Sequence, residues 1–304
     1  KNVSLQFIIG SSGIGKTHYA CEQIIRESME NPQHLYYIIV PEQFTMQTQK
    51  NVVEMHPGKG ILNIDVLSFQ RLAYRIFEET GGAREVLLDD TGKSMVLQKL
   101  VQQHRKNLPY LGSQMNKPGY LDEVKSLISE FMQYDIREEE LQDMLGKTGE
   151  DSLLHMKMQD VGVLYQAFLQ YLEGHYMTGE GVMDALKKAI PFSDKLKKSV
   201  LLLDGFTGFT PVQMNVIREL LNVCDKVLVT VTMDAGENPL QMGKPHQLFY
   251  MSRKMIHTLS GLTSNLDDPI LLKDERKGRF GNSTSLDFLE KHLFRYRRSA
   301  YEKK

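Results

Sequence analysis

Phe7-Ile8-Ile9-Gly10-Ser11-Ser12-Gly13-Ile14-Gly15-Lys16-Thr17 is the stretch on which the reading of this chain turns. Val3 to Ile9 is a short apolar run suited to a buried strand, and it leads into G-x-x-x-x-G-K-[ST], complete from Gly10 to Thr17. A helical pattern follows, with Ala20, Ile24 and Ile25 on one side and Glu22, Arg26 and Glu27 on the other. A strand before and a helix after give the motif its meaning. Glycines at 10, 13 and 15 let the backbone wrap tightly enough for its N–H groups to face phosphate oxygens. The helix adds its positive amino-terminal end. In such a loop the Lys16 ammonium neutralises β- and γ-phosphates and the Thr17 hydroxyl holds Mg²⁺. Gly10, Ser11, Ser12, Gly13, Ile14, Gly15, Lys16 and Thr17 are therefore the candidate nucleotide site, with ATP and Mg²⁺ as the expected cofactors.

Working outward, Asn31-Pro32 stops the helix, and Leu35 to Val40 is apolar throughout. Ile61 to Phe69 supplies a third strand candidate that runs into a helix from Gln70 to Thr80, closed by Gly81-Gly82. Strands apolar on both sides belong to parallel sheets covered by helices. From 83 to 198 strand candidates vanish and amphipathic helices take over, as in Tyr120–Tyr134 and Leu153–Tyr176. The sheet signature returns at Ser199–Leu203, followed by a helix opened by Thr210-Pro211, and at Lys226–Thr232. The fold class expected is α/β: a RecA-like phosphate-loop core split between 1–82 and 199–262. It is interrupted by a helical insertion over 83–198 and followed by a basic segment over 263–304.

A phosphate loop needs a second carboxylate for its magnesium, at the exit of a neighbouring strand. Leu201-Leu202-Leu203-Asp204 provides it, so Thr17 and Asp204 form the expected metal pair. Hydrolases of the motor type place Glu after this Asp to orient the attacking water. Here the next residue is Gly205. Nucleotide binding is supported and fast hydrolysis is not.

Composition narrows the class further. The chain has 304 residues, 37 Lys and Arg against 38 Asp and Glu, a net charge of −1, and 41 % hydrophobic residues. That is enough for a large core and gives no global sign of nucleic-acid binding. No apolar run reaches the ~18 residues of a membrane helix. The sequence opens on Lys1-Asn2-Val3-Ser4 without an initiator methionine or a signal-like apolar stretch, as a trimmed piece of a longer chain would. Cys21 and Cys224 stand alone, which speaks against zinc and disulfides and for a reducing, cytoplasmic compartment. Nine scattered histidines show no metal spacing; His18 either approaches nucleotide or faces solvent.

Four stretches in order carry a resemblance: Phe7 to Thr17; Val40-Pro41-Glu42-Gln43-Phe44-Thr45; Val66-Leu67-Ser68-Phe69-Gln70-Arg71-Leu72-Ala73; and Leu203-Asp204-Gly205-Phe206-Thr207-Gly208-Phe209-Thr210-Pro211. The chain resembles the AddB family, B subunits of bacterial ATP-dependent helicase/nucleases that process double-strand breaks for recombination. The likeness runs through Leu289-Glu290-x2-Leu293-Phe294. It implies the amino-terminal helicase-like domain of a longer subunit, partnered by an AddA-type helicase/nuclease and by DNA, single-stranded or as duplex ends. It also implies a later nuclease domain with an iron–sulfur cluster whose ligands are not in this chain, and a second RecA-like domain supplying catalytic arginines. Pro41 to Thr45 and Ser68-Phe69 would correspond to loops laid along single-stranded DNA: Gln43, Thr45 and Ser68 bond phosphates, while Phe44 and Phe69 either stack on bases or sit in the core. Asp234 either couples nucleotide to DNA or is a turn residue.

Lys273 to Lys304 holds ten basic and five acidic residues, a tail that either touches DNA or keeps the end soluble. Two other classes stay open. A small-molecule or nucleotide kinase would share the loop and use Arg71, Arg75 and Arg84 for its acceptor. A static domain would hold nucleotide only for stability.

Overall fold

The computed structural model describes residues 3–82, 85–114, 117, 119–149, 152–234, 236–273, 279–295 and 300–301. The strands are β1 (Ser4–Gly10), β2 (Leu35–Ile39), β3 (Ile64–Leu67), β4 (Val86–Leu87), β5 (Tyr176–Met177), β6 (Ser199–Leu203), β7 (Lys226–Thr232) and β8 (Ile270–Leu271). The helices are α1 (Lys16–Glu30), α2 (Thr45–Met55), α3 (Phe69–Thr80), α4 (Asp90–His104), α5 (Leu111–Gln114) and α6 (Tyr120–Gln133). They continue with α7 (Glu138–Gly146), α8 (Leu153–Leu172), α9 (Gly179–Ala189), α10 (Pro211–Val223), α11 (Tyr250–Ser260) and α12 (Thr284–His292).

Two compact units divide the chain. One contains 1–76, 189–209 and 217–304; the other contains 77–188 and 210–216. The first is built on a six-stranded sheet in the order β3-β2-β6-β7-β1-β8, with every pairing parallel. Parallel pairing forces a crossover after each strand, which is where α1, α2 and α3 fall. Along α1 the residues Ala20, Ile24 and Ser28 recur at four-residue spacing, and with Cys21 and Ile25 they are buried. They pack with Ile8, Tyr36, Ile38, Val66, Leu202 and Leu228, the set that one sheet face presents at period two. The alternate residues Phe7, Ile9, Tyr37, Ile39, Leu201, Leu203, Val227 and Val229 are buried too. Both faces of the sheet are thus covered, and each fully buried leucine or isoleucine contributes about 1.5–3 kcal/mol.

The parallel arrangement has one decisive consequence for function. All strands point the same way, so their carboxyl ends line up along one edge. From one side to the other, that edge carries the segments after β3, β2, β6, β7, β1 and β8.

The second unit is helical around Val96, Leu97, Leu100, Val124, Ile128, Phe131, Leu164 and Phe168. It also contains the two-residue parallel ladder β4–β5, where the sequence pattern predicts helices alone. Asp160 is fully buried there and accepts hydrogen bonds from the Tyr110 and Leu111 N–H groups at 2.9 and 2.7 Å. Lys93 and Glu180 form a buried ion pair at 3.0 Å, joined by Ser129 at 3.2 Å.

Several sequence-based boundaries shift. The polar stretch after Asp267, where the sequence offers no strand candidate, supplies β8, which pairs Ile8 with Ile270 and Ile9 with Leu271. α8 ends at Leu172 rather than Tyr176, because Tyr176 is taken up by β5. The carboxy-terminal helix covers Thr284–His292. Arg84, Arg297 and Arg298 lie outside the described residues.

Candidate nucleotide site at the strand ends

β1 delivers Gly10 to the sheet edge, the chain turns through Gly13, and α1 begins at Lys16. Gly13 has φ +75°, the left-handed region that L side chains avoid, and a Cβ there would sit 2.8 Å from the Phe280 ring. Backbone conformation and space both require glycine at this point. The Lys16 ammonium bends back to donate to the Ser11 carbonyl at 2.8 Å. Burial holds its pKa below the ordinary value, against the pull of Asp204 and Glu290, which raise it. A partly desolvated cation beside a turn of backbone N–H groups is chemistry that suits an anionic group.

Asp204 leaves β6 one residue past the ladder. Leu203 pairs with Val229, so register alone sets Asp204 beside Thr230 on β7. The Thr230 hydroxyl donates to Asp204 Oδ1 at 2.6 Å. Thr17 Oγ1 lies 3.1 and 2.9 Å from the two carboxylate oxygens. Thr17 and Asp204, 187 residues apart in sequence, are therefore brought together, and their oxygens suit a hard divalent cation such as Mg²⁺. Thr230 is the member that sequence reading missed. Within Lys226–Thr232 it looks like one more β-former, and only the strand register reveals its partner.

Beneath the loop, Cys21 is buried and its thiol pKa is pushed up to about 12, first by burial and then by the negative charge of Asp204. His18 is exposed and lies 3.9 Å from Glu22, the solvent-facing alternative. Asp234, just beyond β7, accepts hydrogen bonds from Nε and Nη2 of Arg295 at 2.7–3.1 Å. It is more than a bare turn residue.

The residues expected on DNA separate into two groups. Gln43 and Phe44 are exposed in a short turn after β2, Phe44 by 49 %. Thr45, Ser68 and Phe69 are buried. Thr45 Oγ1 donates to the Glu42 carbonyl at 2.9 Å, and Ser68 Oγ caps α3 by accepting the Arg71 N–H at 3.3 Å. Phe69 is 5 % exposed and packs against Phe206 and Phe209 with ring centroids at 5.6 and 6.3 Å. Phe206 and Phe209 themselves lie 4.9 Å apart. The ring that offered a stacking face is instead part of an aromatic cluster joining two strand-end loops.

Of the arginines that a kinase acceptor pocket would use, Arg71 pairs with Glu42 at 3.1 Å and Arg75 with Asp65 at 2.9 Å, and Arg84 lies outside the described residues. Gly205 follows Asp204 with φ +79°. Among the described residues no helix is long and apolar enough to cross a membrane.

Comparison with known proteins extends this geometry. The Lachnoclostridium phytofermentans protein named as the B subunit of an ATP-dependent helicase/deoxyribonuclease is 44 % identical over 301 residues, covering 97 % of this chain and 26 % of its own length. Those so named from Desulforamulus reducens and Clostridium acetobutylicum are each 32 % identical, over 97 % and 99 % of this chain. The chain spans about a quarter of the length of these relatives, 26 % in each case. The family described as "ADDB, N-terminal" matches residues 7–290, from the strand before the phosphate loop to Glu290 on α12. The loop, the Asp204 strand end and the aromatic cluster all fall inside that match, and the chain belongs to the AddB amino-terminal family.

Proposed function

We propose that this chain is the nucleotide-binding, DNA-contacting part of an ATP-dependent helicase/deoxyribonuclease subunit that processes double-strand breaks for recombinational repair in the bacterial cytoplasm. The observation that carries the reading is the Thr17–Asp204–Thr230 cluster beside Lys16. With a RecA-like assignment of the sheet, Lys16 leaves the Ser11 carbonyl for the β- and γ-phosphates. Thr17 and Asp204 would hold Mg²⁺, which would screen the phosphate charge. Thr230 fixes the carboxylate orientation from the buried side, as a hydrogen-bonded second partner does for a metal ligand.

Gly205 leaves the position after the metal aspartate without a carboxylate to orient water. The domain binds ATP and hydrolyses it weakly or not at all on its own. Gln43 and Phe44 form the exposed contact for a single strand. Thr45, Ser68 and Phe69 hold the two loops from behind. A partner subunit of the AddA type supplies the principal motor, and segments beyond this chain supply nuclease and iron–sulfur chemistry.

The test is calorimetric titration of the 304-residue chain with Mg·ATP, with and without a short single strand in low salt, beside Lys16→Ala. Binding that Lys16→Ala abolishes, and that tightens with DNA, is expected. Equal binding by both chains would remove the phosphate-loop assignment, and phosphoryl transfer to a small acceptor would move the domain to the kinases.

A further inference from the structure

We propose that residues 279–295 form a strap that competes with nucleotide for the phosphate loop, latched by Arg295 on Asp234, so that a triphosphate binds only as the strap lifts. The proposal rests on the reading of Gly10–Thr17 as a nucleotide loop.

Three attachments set the strap on the loop. The Arg279 N–H donates to the Gly13 carbonyl at 2.8 Å. The Phe280 ring occupies the space that a side chain at Gly13 would take, 2.8 Å from the ideal Cβ position. Arg295 grips both oxygens of Asp234 at 2.7–3.1 Å. Asp234 directly follows Met233, whose N–H bonds the Gly10 carbonyl at 3.0 Å. The strap is therefore fastened at the turn of the loop and beside its first residue.

Between these points α12 carries Glu290, whose negative charge reaches Lys16. The carboxylate acts on the same ammonium that a phosphate would seek, and an incoming triphosphate repels it. Like charges cannot share one cation cheaply at low dielectric.

The hold is weak enough to be broken. Every residue of α12 keeps partial exposure, and Leu286, Leu289 and Leu293 are about half exposed, at 49, 47 and 51 %. Segments with so little buried surface open at the low end of the free-energy range. The latch pair is 21 % and 32 % exposed, so solvent screens it and its contribution is modest.

The experiment uses the 304-residue chain, Arg295→Ala, Glu290→Gln and Lys16→Ala. Releasing the strap raises the fraction of competent loops, so Arg295→Ala and Glu290→Gln should each bind Mg·ATP about three- to ten-fold more tightly. In the unsubstituted chain, amide exchange over 279–292 should quicken when Mg·ATP is added. Unchanged or weaker binding by both variants, or slower exchange with nucleotide, would overturn the strap as competitor and make it a wall of the filled site. Lys16→Ala separates the two failures. If it abolishes binding while the strap variants change nothing, the loop reading stands and the strap falls. If it leaves binding intact, the loop reading falls and the strap with it.

Discussion

Gly205 offers a test that isolates backbone from side chain. Its φ of +79° lies in the left-handed region, while a Cβ added there would meet Pro41 Cδ at 3.6 Å, an ordinary contact. Space is available; conformation is not. An L residue forced left-handed costs about 1–2 kcal/mol. Replacing glycine also removes freedom from the unfolded chain, which returns about 0.4–1 kcal/mol. Gly205→Ala should therefore lose roughly 0.5–1.5 kcal/mol, a fall of about 1–5 °C in melting temperature. Gly205→Glu should lose a similar amount, because the strain belongs to the backbone and the side chain has room. Gly205→Asn should lose less, since asparagine tolerates this region best after glycine. Thermal unfolding of the three variants at about pH 7, without nucleotide, reads the series directly. Alanine at or above the parent would refute the left-handed assignment. Glutamate falling far below alanine would refute the claim of space.

Two further outcomes follow from burial. Lys93→Met strands the Glu180 carboxylate, 10 % exposed, and should cost about 3–5 kcal/mol in urea unfolding, whereas Lys93→Met with Glu180→Met should recover most of it; equal losses would show that the pair is not coupled. Cys21, at about 12, is thiolate in only roughly one molecule in ten thousand at pH 8, so a thiol reagent should leave it unlabelled until urea unfolds the chain. Because the folded value exceeds the free value of 9.0, this thiol makes stability fall as pH rises past that point. Rapid labelling of the native chain at Cys21 would contradict the burial.

The sequence disclosed what depends on local pattern. Ser199–Leu203 and Lys226–Thr232 are legible because continuous apolar runs of that length have few other uses. The turn from β1 into α1 is legible because Gly10, Gly13 and Gly15 stand between an apolar run and a helical pattern. Asp204 could be picked out because the loop creates a need for it. What stayed hidden depends on contacts between distant segments. β8 is two residues in a polar stretch and becomes a strand only through Ile8 and Ile9. α2 has a weak stripe of Thr45, Thr48 and Val52, so its period is faint. Phe69 gave no sign of its partners, since an aromatic before a helix reads equally as platform or as packing. Arg295 and Asp234, 61 residues apart, are joined by the fold alone.

The aromatic cluster of Phe69, Phe206 and Phe209 bears on how slack the domain is between its two working regions. Asp204 and Phe206 are separated by one residue, and Phe69 is bonded directly to Ser68. A displacement of the carboxylate thus has a single flexible joint, Gly205, before it meets interlocked rings that resist compression. The loops after β3 and β6 are therefore joined by packing that leaves little slack between them.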